Sequence, residues 1–314
     1  MYATWRTQVA QRAQAHQAWR QLRERYRHTH PEWAAEFDRV MAGRLPPDWQ
    51  ECLPRFAPGT TRISTRVAAG KALQALADHV PELVGGVANV ESSTETHLAG
   101  YPDVGRNQWN GRNLRFGVRE HAMAALVVGM AAHGGLRPFG ATFFCFSDYL
   151  RPTLRLSAIM QLPCVWVFTH DSIGLGEDGT THQPIEQLAS LRAMPGLTVI
   201  RPADANEAAQ AWAAALHHSG PTVLVLSRQT LPVLDPDTVD VRGAIVAPGD
   251  HVALIATGSE VEVALAARDI LTSEGISARV VSLPCWELFF PRPPAERDAI
   301  PSRWRRPARS AGRC

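Results

Sequence analysis

Short apolar runs alternate with amphipathic stretches through most of the chain, beginning near Ile63. The apolar runs are typical of strands and are LVGGVANV (83–90), LRFGV (114–118), CVWVFT (164–169), LTVI (197–200) and TVLVLS (222–227). The stretches between them have helical spacing and span 64–79, 120–133, 148–160, 184–194 and 204–218, with candidate N-caps at Ser64, Asp148 and Asp204. Strands that are apolar throughout and separated by helices indicate a parallel sheet covered on both faces. The pattern predicts an α/β fold with a mainly parallel, doubly wound sheet at residues 60–235.

The hydrophobic pattern changes on both sides of this domain. Residues 1–59 are polar and rich in arginine, which predicts a helical arm of two helices broken at Pro31 and followed by a proline-rich linker. Residues 240–290 predict a truncated second α/β unit of strand, helix and strand, whose core is too small to fold without packing on another part of the protein. Residues 291–314 contain five prolines, seven arginines and two acids. They predict a disordered tail, with a phosphate- or RNA-binding tail and a truncated or frame-shifted end as alternatives.

Composition narrows the class of protein. A chain of 314 residues that is 45% hydrophobic, with a formal charge of +2, suits a soluble globular protein of about two domains and gives no argument for a nucleic-acid or membrane partner. No apolar run approaches the ~20 residues that a membrane-spanning helix needs, and the N-terminus lacks the apolar core of a secretory signal. Five cysteines stand far apart, which argues against disulfides or a zinc site. The expected location is therefore the cytoplasm.

Three clusters with chemical potential follow predicted strands, where open parallel sheets place ligands. In FGVREHAM, Glu120 opens a helix, although an acid in a first helical turn is favoured on electrostatic grounds alone. In GATFFCFSDYL, Phe143, Phe146 and Tyr149 are spaced to share one face. Such a face suits either core packing or stacking on a flat heteroaromatic ligand.

The third cluster is the glycine-rich loop THDSIGLGEDGTTHQP, in which His170 and His182 flank three acids. The two histidines are far apart and no ligand spacing repeats, so the loop is poorly organised for a metal. Glycines free backbone amides and histidines can donate to oxygens, so the loop better suits a polyol or a phosphate.

Taken together, these motifs resemble the transketolase family. The segment HDSIGLGEDGTTHQPIEQLASLRAMPGLTVIRPADANE is similar to the family signature nearly letter for letter, and FGVREHAM and LSRQTLP match its flanking motifs. The similarity extends from the arm to about Trp286. It implies a thiamine diphosphate- and magnesium-dependent enzyme of the pentose phosphate pathway, which moves a two-carbon ketol unit from a ketose phosphate to an aldose phosphate.

The resemblance also implies roles for individual residues. Glu120, catalytic and cofactor-binding, would hydrogen-bond the aminopyrimidine ring nitrogen and favour the imino tautomer, while Phe146 would stack on the ring and Phe143 and Tyr149 would complete the pocket. The donor hydroxyls would be bound by Asp178 and by His182, which would also be catalytic. The sugar phosphate would be held by Arg66, Ser93, His170 and Arg228, two of them arginines suited to forked bonds with a dianion.

Without the resemblance, Arg66 could be an exposed helix residue and Ser93 a loop cap. The sequence also departs from the family pattern at two positions, with Asn89 where the family usually has Asp and Ser92 in place of a Pro. These departures put in question the geometry around Ser93 more than the chemistry at Glu120.

The sequence lacks the Gly-Asp-Gly motif with which thiamine diphosphate enzymes hold the diphosphate and its magnesium. The most similar string, residues 176–179, belongs to the predicted substrate loop, so no metal-ligating residue is expected in this chain. The leading hypothesis is a split transketolase component that works as a homodimer or in complex with a diphosphate-binding chain. The alternatives are a truncated, non-catalytic remnant that binds a partner, and a related enzyme such as deoxyxylulose-phosphate synthase or a 2-oxoacid dehydrogenase β-subunit. The long histidine loop argues against the related enzymes.

Overall fold

A computed structural model describes residues 2–59 and 61–300. The helices are α1 (Tyr2–Thr29), α2 (Pro31–Met41), α3 (Thr65–His79), α4 (Glu91–Thr94), α5 (Glu120–His133), α6 (Ser147–Met160), α7 (Gln187–Arg192), α8 (Ala205–His217), α9 (Glu260–Ser273), α10 (Trp286–Phe289) and α11 (Pro294–Ala299). The strands are β1 (Arg62–Ile63), β2 (Leu83–Val87), β3 (Asn113–Arg115), β4 (Arg137–Phe143), β5 (Val165–Thr169), β6 (Thr198–Ile200), β7 (Thr222–Leu226), β8 (Leu231–Pro232), β9 (Ala244–Ala247), β10 (Val252–Ala256) and β11 (Ala278–Ser282).

The main sheet has six parallel strands in the order β3-β2-β4-β5-β7-β6. Helices α3 and α8 contact each other on one face, and α5 and α6 on the other. Successive residues of β5 enter the two cores in turn, because side chains of a strand alternate between faces: Val165 and Val167 pack on one side, Trp166 and Phe168 on the other. The predicted doubly wound α/β fold is confirmed.

The central strand β4 is the main element that the hydrophobic pattern did not predict. Its sequence RPFGATF contains a proline and a glycine, both poor strand formers. The strand forms because β2 and β5 pair with it on both sides and bury Phe139 completely.

Two of the three predicted helix caps are present. The Ser64 hydroxyl accepts from the amide of Val67 at 3.4 Å, and the Asp204 carboxylate accepts from the amide of Glu207 at 2.8 Å. The prediction for Asp148 was wrong, since α6 begins one residue earlier and Asp148 lies in its first turn.

The arm consists of the two predicted helices, with α2 beginning at Pro31. Only Ala34 of α2 is buried, while large apolar side chains such as Trp19 and Trp33 are exposed. Arg39 ties α2 to the main domain through an ion pair with the buried Glu82, at 2.8 Å. The two helices therefore have little core of their own, and it is the end of α2 that contacts the main domain.

The second unit is a three-stranded sheet in the order β10-β11-β9 with α9 packed against it. The predicted strand–helix–strand is present as β10, α9 and β11, and β9 is an additional antiparallel strand. Its small core includes Ala203 of the main domain. The unit thus packs on the first domain, as its size requires.

Within the segment expected to be a disordered tail, residues 294–299 form the short helix α11. Arg279 donates to the carbonyls of Ala299 and Ile300 at 3.2 and 3.1 Å and anchors the end of this helix. Residues 301–314 of that segment lie outside the described residues. Among residues 2–59 and 61–300, no helix combines the length and the apolar character needed to cross a bilayer.

Candidate functional site

Five adjacent strands of the main sheet end at one edge. Their last residues and the loops and helices that follow them carry every site residue predicted from the sequence except Arg66. In spatial order these strands are β3, β2, β4, β5 and β7. They are followed by Glu120, by Ser93, by the aromatic residues 143–149, by the loop 170–182 and by Arg228. Arg66 joins them from the first turn of α3, where its amide donates to the carbonyl of Ser227 at 3.4 Å.

Glu120 is the first residue of α5 and is 9% exposed. The first turn of a helix stabilises a carboxylate, because its unpaired amides carry partial positive charge. Glu120 lies at a cavity of ≈ 420 Å³. The remaining lining residues are mostly apolar or aromatic and are Ala88, Asn89, Val90, Val118, Phe146 and Tyr149.

An aromatic cluster extends from this cavity. The rings of Phe143 and Phe146 are stacked, with centroids 5.9 Å apart and planes at 15°, and Tyr149 lies 5.9 Å from Phe146. Phe146 and Tyr149 line the cavity, whereas Phe143 packs behind them against the imidazole of His170, with centroids 3.9 Å apart. A flat heteroaromatic ring can enter beside Phe146, and Phe143 supports that wall.

His170 follows β5 directly and adopts a left-handed backbone conformation, with φ of +64°. Its side chain is buried, with Nδ1 2.9 Å from the Thr169 hydroxyl and Nε2 3.7 Å from the Asp178 carboxylate. Burial lowers the pKa of His170 to about 4, and the positive charge of Arg66 acts in the same direction. The imidazole is therefore neutral at physiological pH and can donate one hydrogen bond.

Two guanidinium groups form a basic corner beside this imidazole. Arg228 donates to the carbonyl of Leu175 at 2.9 Å and to Glu177 at 2.6 Å, and its Nε lies 3.4 Å from Asp178. Arg66 donates to the carbonyl of Ser93 at 2.6 Å, while its buried Nε has no hydrogen-bond partner. Burial lowers the pKa of Arg66, and the charge of Arg228 adds to the effect. An anion bound between the two guanidinium groups would pair with the buried Arg66 and would offset the repulsion between the two positive charges.

His182 packs against the aromatic cluster. Its ring lies edge-on to Phe146 at 5.4 Å and to Phe143 at 5.8 Å. Nδ1 is 2.8 Å from the hydroxyl of Thr181, so the ring is oriented by its neighbour. Phe143 in turn contacts His170, and His170 faces Asp178, so the aromatic cluster and the basic corner are connected through Phe143 and His170.

The two departures from the family pattern lie at the end of β2. Asn89 has a φ of +63°, and Asn and Asp are among the side chains that most readily accept this left-handed conformation. An Asn in place of Asp therefore keeps the backbone turn. Ser92 lies exposed in the short helix α4, whose end brings the Ser93 carbonyl to Arg66.

No role was predicted for Asp171 and Arg201, which form a buried ion pair next to His170 at 2.6 Å. The pair could not be predicted from spacing, because the two residues are thirty positions apart and follow strands that are not neighbours. The apolar cavity residues Ala88, Val90 and Val118, which contribute shape, were not predicted as site residues either. The described part of the chain contains no group of three or more His, Cys, Asp or Glu side chains arranged to hold a metal.

A parallel α/β domain whose strand ends carry an acidic helix start, an aromatic pocket and a basic corner is the architecture of a pyrimidine-binding domain. Residues 61–233 match the family described as "Transketolase, pyrimidine binding domain", and residues 243–303 match "Transketolase-like TK C-terminal domain". The chain belongs to the transketolase family.

Among curated proteins, the chain is 49% identical over 298 residues to the transketolase of Halalkalibacterium halodurans, covering 91% of this chain and 45% of that one. It is 46% identical to the transketolase of Geobacillus stearothermophilus, over 96% of this chain and 47% of that one. The chain thus spans about half the length of these relatives.

Among solved structures, it is similar to a Pichia stipitis transketolase in complex with sedoheptulose 7-phosphate, with a TM-score of 0.89 and 38% identity over 93% of this chain and 45% of that one. It is also similar to a structure described as "Split gene transketolase, inactive beta4 tetramer". That match has a TM-score of 0.61 and 29% identity, and it covers 72% of this chain and 73% of the other.

Proposed function

We propose that this chain supplies the pyrimidine-binding and sugar-phosphate-binding part of a transketolase, which transfers a two-carbon ketol unit from a ketose phosphate to an aldose phosphate. The observation that carries the proposal is the series of contacts that leads from the Glu120 cavity through Phe146, Phe143 and His170 to the basic corner. A cofactor ring at one end and a phosphate at the other would place a sugar between them.

The cavity suits the aminopyrimidine ring of thiamine diphosphate. Its volume of ≈ 420 Å³, its aromatic wall and its single buried carboxylate match a flat ring with one nitrogen to be protonated. When bound, thiamine diphosphate supplies an electron sink for breaking a carbon–carbon bond of the ketose. Glu120 holds a proton at the ring nitrogen, and Phe146 and Tyr149 fix the ring and exclude water.

The loop after β5 and the basic corner suit a sugar phosphate. Arg66 and Arg228 bind the phosphate, assisted by Ser93 and by the neutral His170, which donates rather than adds charge. Asp178 and His182 bind the donor hydroxyls, and His182 is close enough to the aromatic wall to hold a proton at a hydroxyl beside the reacting carbon.

A partner is expected against the outer face of α5, either a second copy or a diphosphate-binding chain. The helix EHAMAALVVGMAAH is apolar on nearly all sides, a pattern typical of helices buried on every face. Leu126 on this helix is 57% exposed and Val118, just before it, is 74% exposed. Val118 lines the cavity together with Glu120, so a partner there would close the cavity.

The diphosphate and its magnesium would be held by a separate domain or chain, since this sequence has no Gly-Asp-Gly motif. The similarity to a split-gene transketolase whose tetramer is described as inactive supports the proposal that this chain is a component with no activity alone. We place the complex in the cytoplasm, because the cysteines of the described residues are all unpaired.

The test is reconstitution. The purified chain is mixed with a transketolase diphosphate-binding chain, thiamine diphosphate, Mg²⁺ and a ketose/aldose phosphate pair, and ketol transfer is measured against each part alone. We expect activity only in the mixture, with at least a ~100-fold loss for Glu120→Gln and none for His79→Gln, a surface change. Absence of both complex and activity would favour the non-catalytic remnant. A pyruvate-dependent activity that survives Asp178→Ala would favour a deoxyxylulose-phosphate synthase type.

A further inference from the structure

A buried ion pair lies directly behind the phosphate end of the site. Nε and Nη2 of Arg201 donate to one carboxylate oxygen of Asp171 at 2.9 and 2.6 Å. The side chains of Asp171 and Arg201 are only 1% and 5% exposed. Charged side chains are rarely buried to this degree unless they are paired, because burial of each charge is costly.

The same guanidinium reaches into the second unit. Arg201 donates to the carbonyl of Thr257 at 3.1 Å and to the hydroxyl of Ser259 at 3.2 Å, and it forms an ion pair with Glu260 at the start of α9. One arginine therefore joins the loop after β5 to the second unit.

The residue next to Asp171 is His170, whose backbone conformation needs support. A left-handed φ of +64° is unfavourable for a residue with a side chain and persists only where surrounding contacts enforce it. The fixed Asp171 carboxylate restrains the peptide unit between the two residues. This restraint keeps the imidazole of His170 against Phe143, with centroids 3.9 Å apart, and its Nε2 facing Asp178.

We propose that Asp171 and Arg201 are positioning residues for His170, and that Glu260 makes the second unit part of this support. The role in substrate binding rests on the function proposed above, whereas the control of His170 geometry does not. The second unit then acts on the site through one guanidinium, without touching the sugar phosphate.

The first measurement is NMR of the full chain with labelled histidines at pH 7.5, where His170 is neutral. The close Phe143 ring should displace the ring-proton resonances of His170 through its ring current, and the spectrum of His170→Gln identifies them. We expect Asp171→Asn to lose at least half of the displacement. Glu260→Gln should lose a smaller part, and Arg201→Lys should retain more than Arg201→Met.

Glu82→Gln is the matched control, since Glu82 forms a buried pair with Arg39 at the other end of the sheet. It should leave the His170 resonances in place. Unchanged resonances in folded Asp171→Asn, or an equal change in Glu82→Gln, would overturn the proposal. Glu260→Gln is half exposed and keeps the test open if the buried variants fail to fold.

The second measurement uses the reconstituted enzyme. Asp171→Asn should raise the KM for the donor sugar phosphate about tenfold and change kcat less than about threefold, because His170 binds phosphate and takes no part in bond breaking. If the unmodified mixture is inactive, the proposed function fails while the NMR result still decides the positioning role. A tenfold fall in kcat with an unchanged KM would contradict a positioning role at the phosphate end.

Discussion

Glu207 is a fully buried acid that takes no part in the proposed chemistry. Its carboxylate accepts from the amide of Ala203 at 2.7 Å, beside the capping residue Asp204. Burial raises the pKa of Glu207 to about 8, and the negative charge of Asp204 adds to the effect. The side chain is thus protonated at neutral pH.

We predict a pH dependence of stability from this residue. An acid whose folded-state pKa exceeds its unfolded value binds more protons when folded, so its stabilising effect is complete below pH 4.5 and declines up to pH 8. The decline is at most roughly 5 kcal/mol in the free energy of unfolding. Glu207→Gln should flatten it, as measured by urea unfolding at several pH values. Glu186→Gln, an exposed acid, is the control, and an equal slope in Glu207→Gln and the unmodified chain would contradict the assignment.

Residues of the site differ in how far the sequence could reveal them. Glu120, His170 and Asp178 lie in contiguous motifs, so their neighbourhood could be inferred from strand ends and from the family resemblance. Arg201 and Asp171 could not be paired, because β7 lies between the strands that precede them. The two residues come into contact only when the strand order of the folded sheet brings the ends of β5 and β6 near each other.

Two glycines in different elements have opposite expected costs. A Cβ on Gly86 of β2 would lie 1.9 Å from the carbonyl oxygen of Leu114 in the neighbouring strand, whereas one on Gly129 of α5 would meet nothing within 4 Å. Gly86→Ala must therefore push strands apart, and Gly129→Ala only gains helix propensity.

We predict that Gly86→Ala lowers the free energy of unfolding by about 3 kcal/mol or prevents folding. Gly129→Ala should raise it by about 0.5–1 kcal/mol in the isolated chain. Thermal and urea unfolding of both variants against the unmodified chain checks the pair. A Gly86→Ala chain of unchanged stability would show that β2 and β3 are not as closely paired as described.

Predictability also varies among the elements themselves. Helix α5 was predicted at its observed bounds, and β5 to within one residue, because a long apolar helix pattern and a continuous run of valine and aromatic residues are strong local signals. Strand β4 has no such signal, since Pro138 and Gly140 interrupt it and tertiary pairing decides its conformation. Strand β9 was not predicted either; it is four residues long, and only its last residue, Ala247, is buried.

At the scale of the whole molecule, the second unit has no independent core. Its cluster around Val261 and Val280 includes Ala203 of the main domain, and Cys285, which follows β11, is buried in the main core. The Arg201 contacts cross the same junction. Interfaces built from shared cores transmit destabilisation, so the two units should unfold in a single transition.

Val280→Ala tests this cooperativity. Val280 is fully buried in β11, and its truncation should cost about 1–2 kcal/mol through lost contacts and a small cavity. If the units are coupled, hydrogen exchange will rise by the same factor in globally protected amides of β5 and β7 as in those of β11, because both open only in the shared transition. Val263→Ala, on the exposed face of α9, should leave hydrogen exchange unchanged both in β5 and β7 and in β11. Faster exchange confined to β9, β10 and β11, with the main sheet unaffected, would mean that the second unit unfolds separately and that its support of His170 through Arg201 can be lost while the main sheet stays folded.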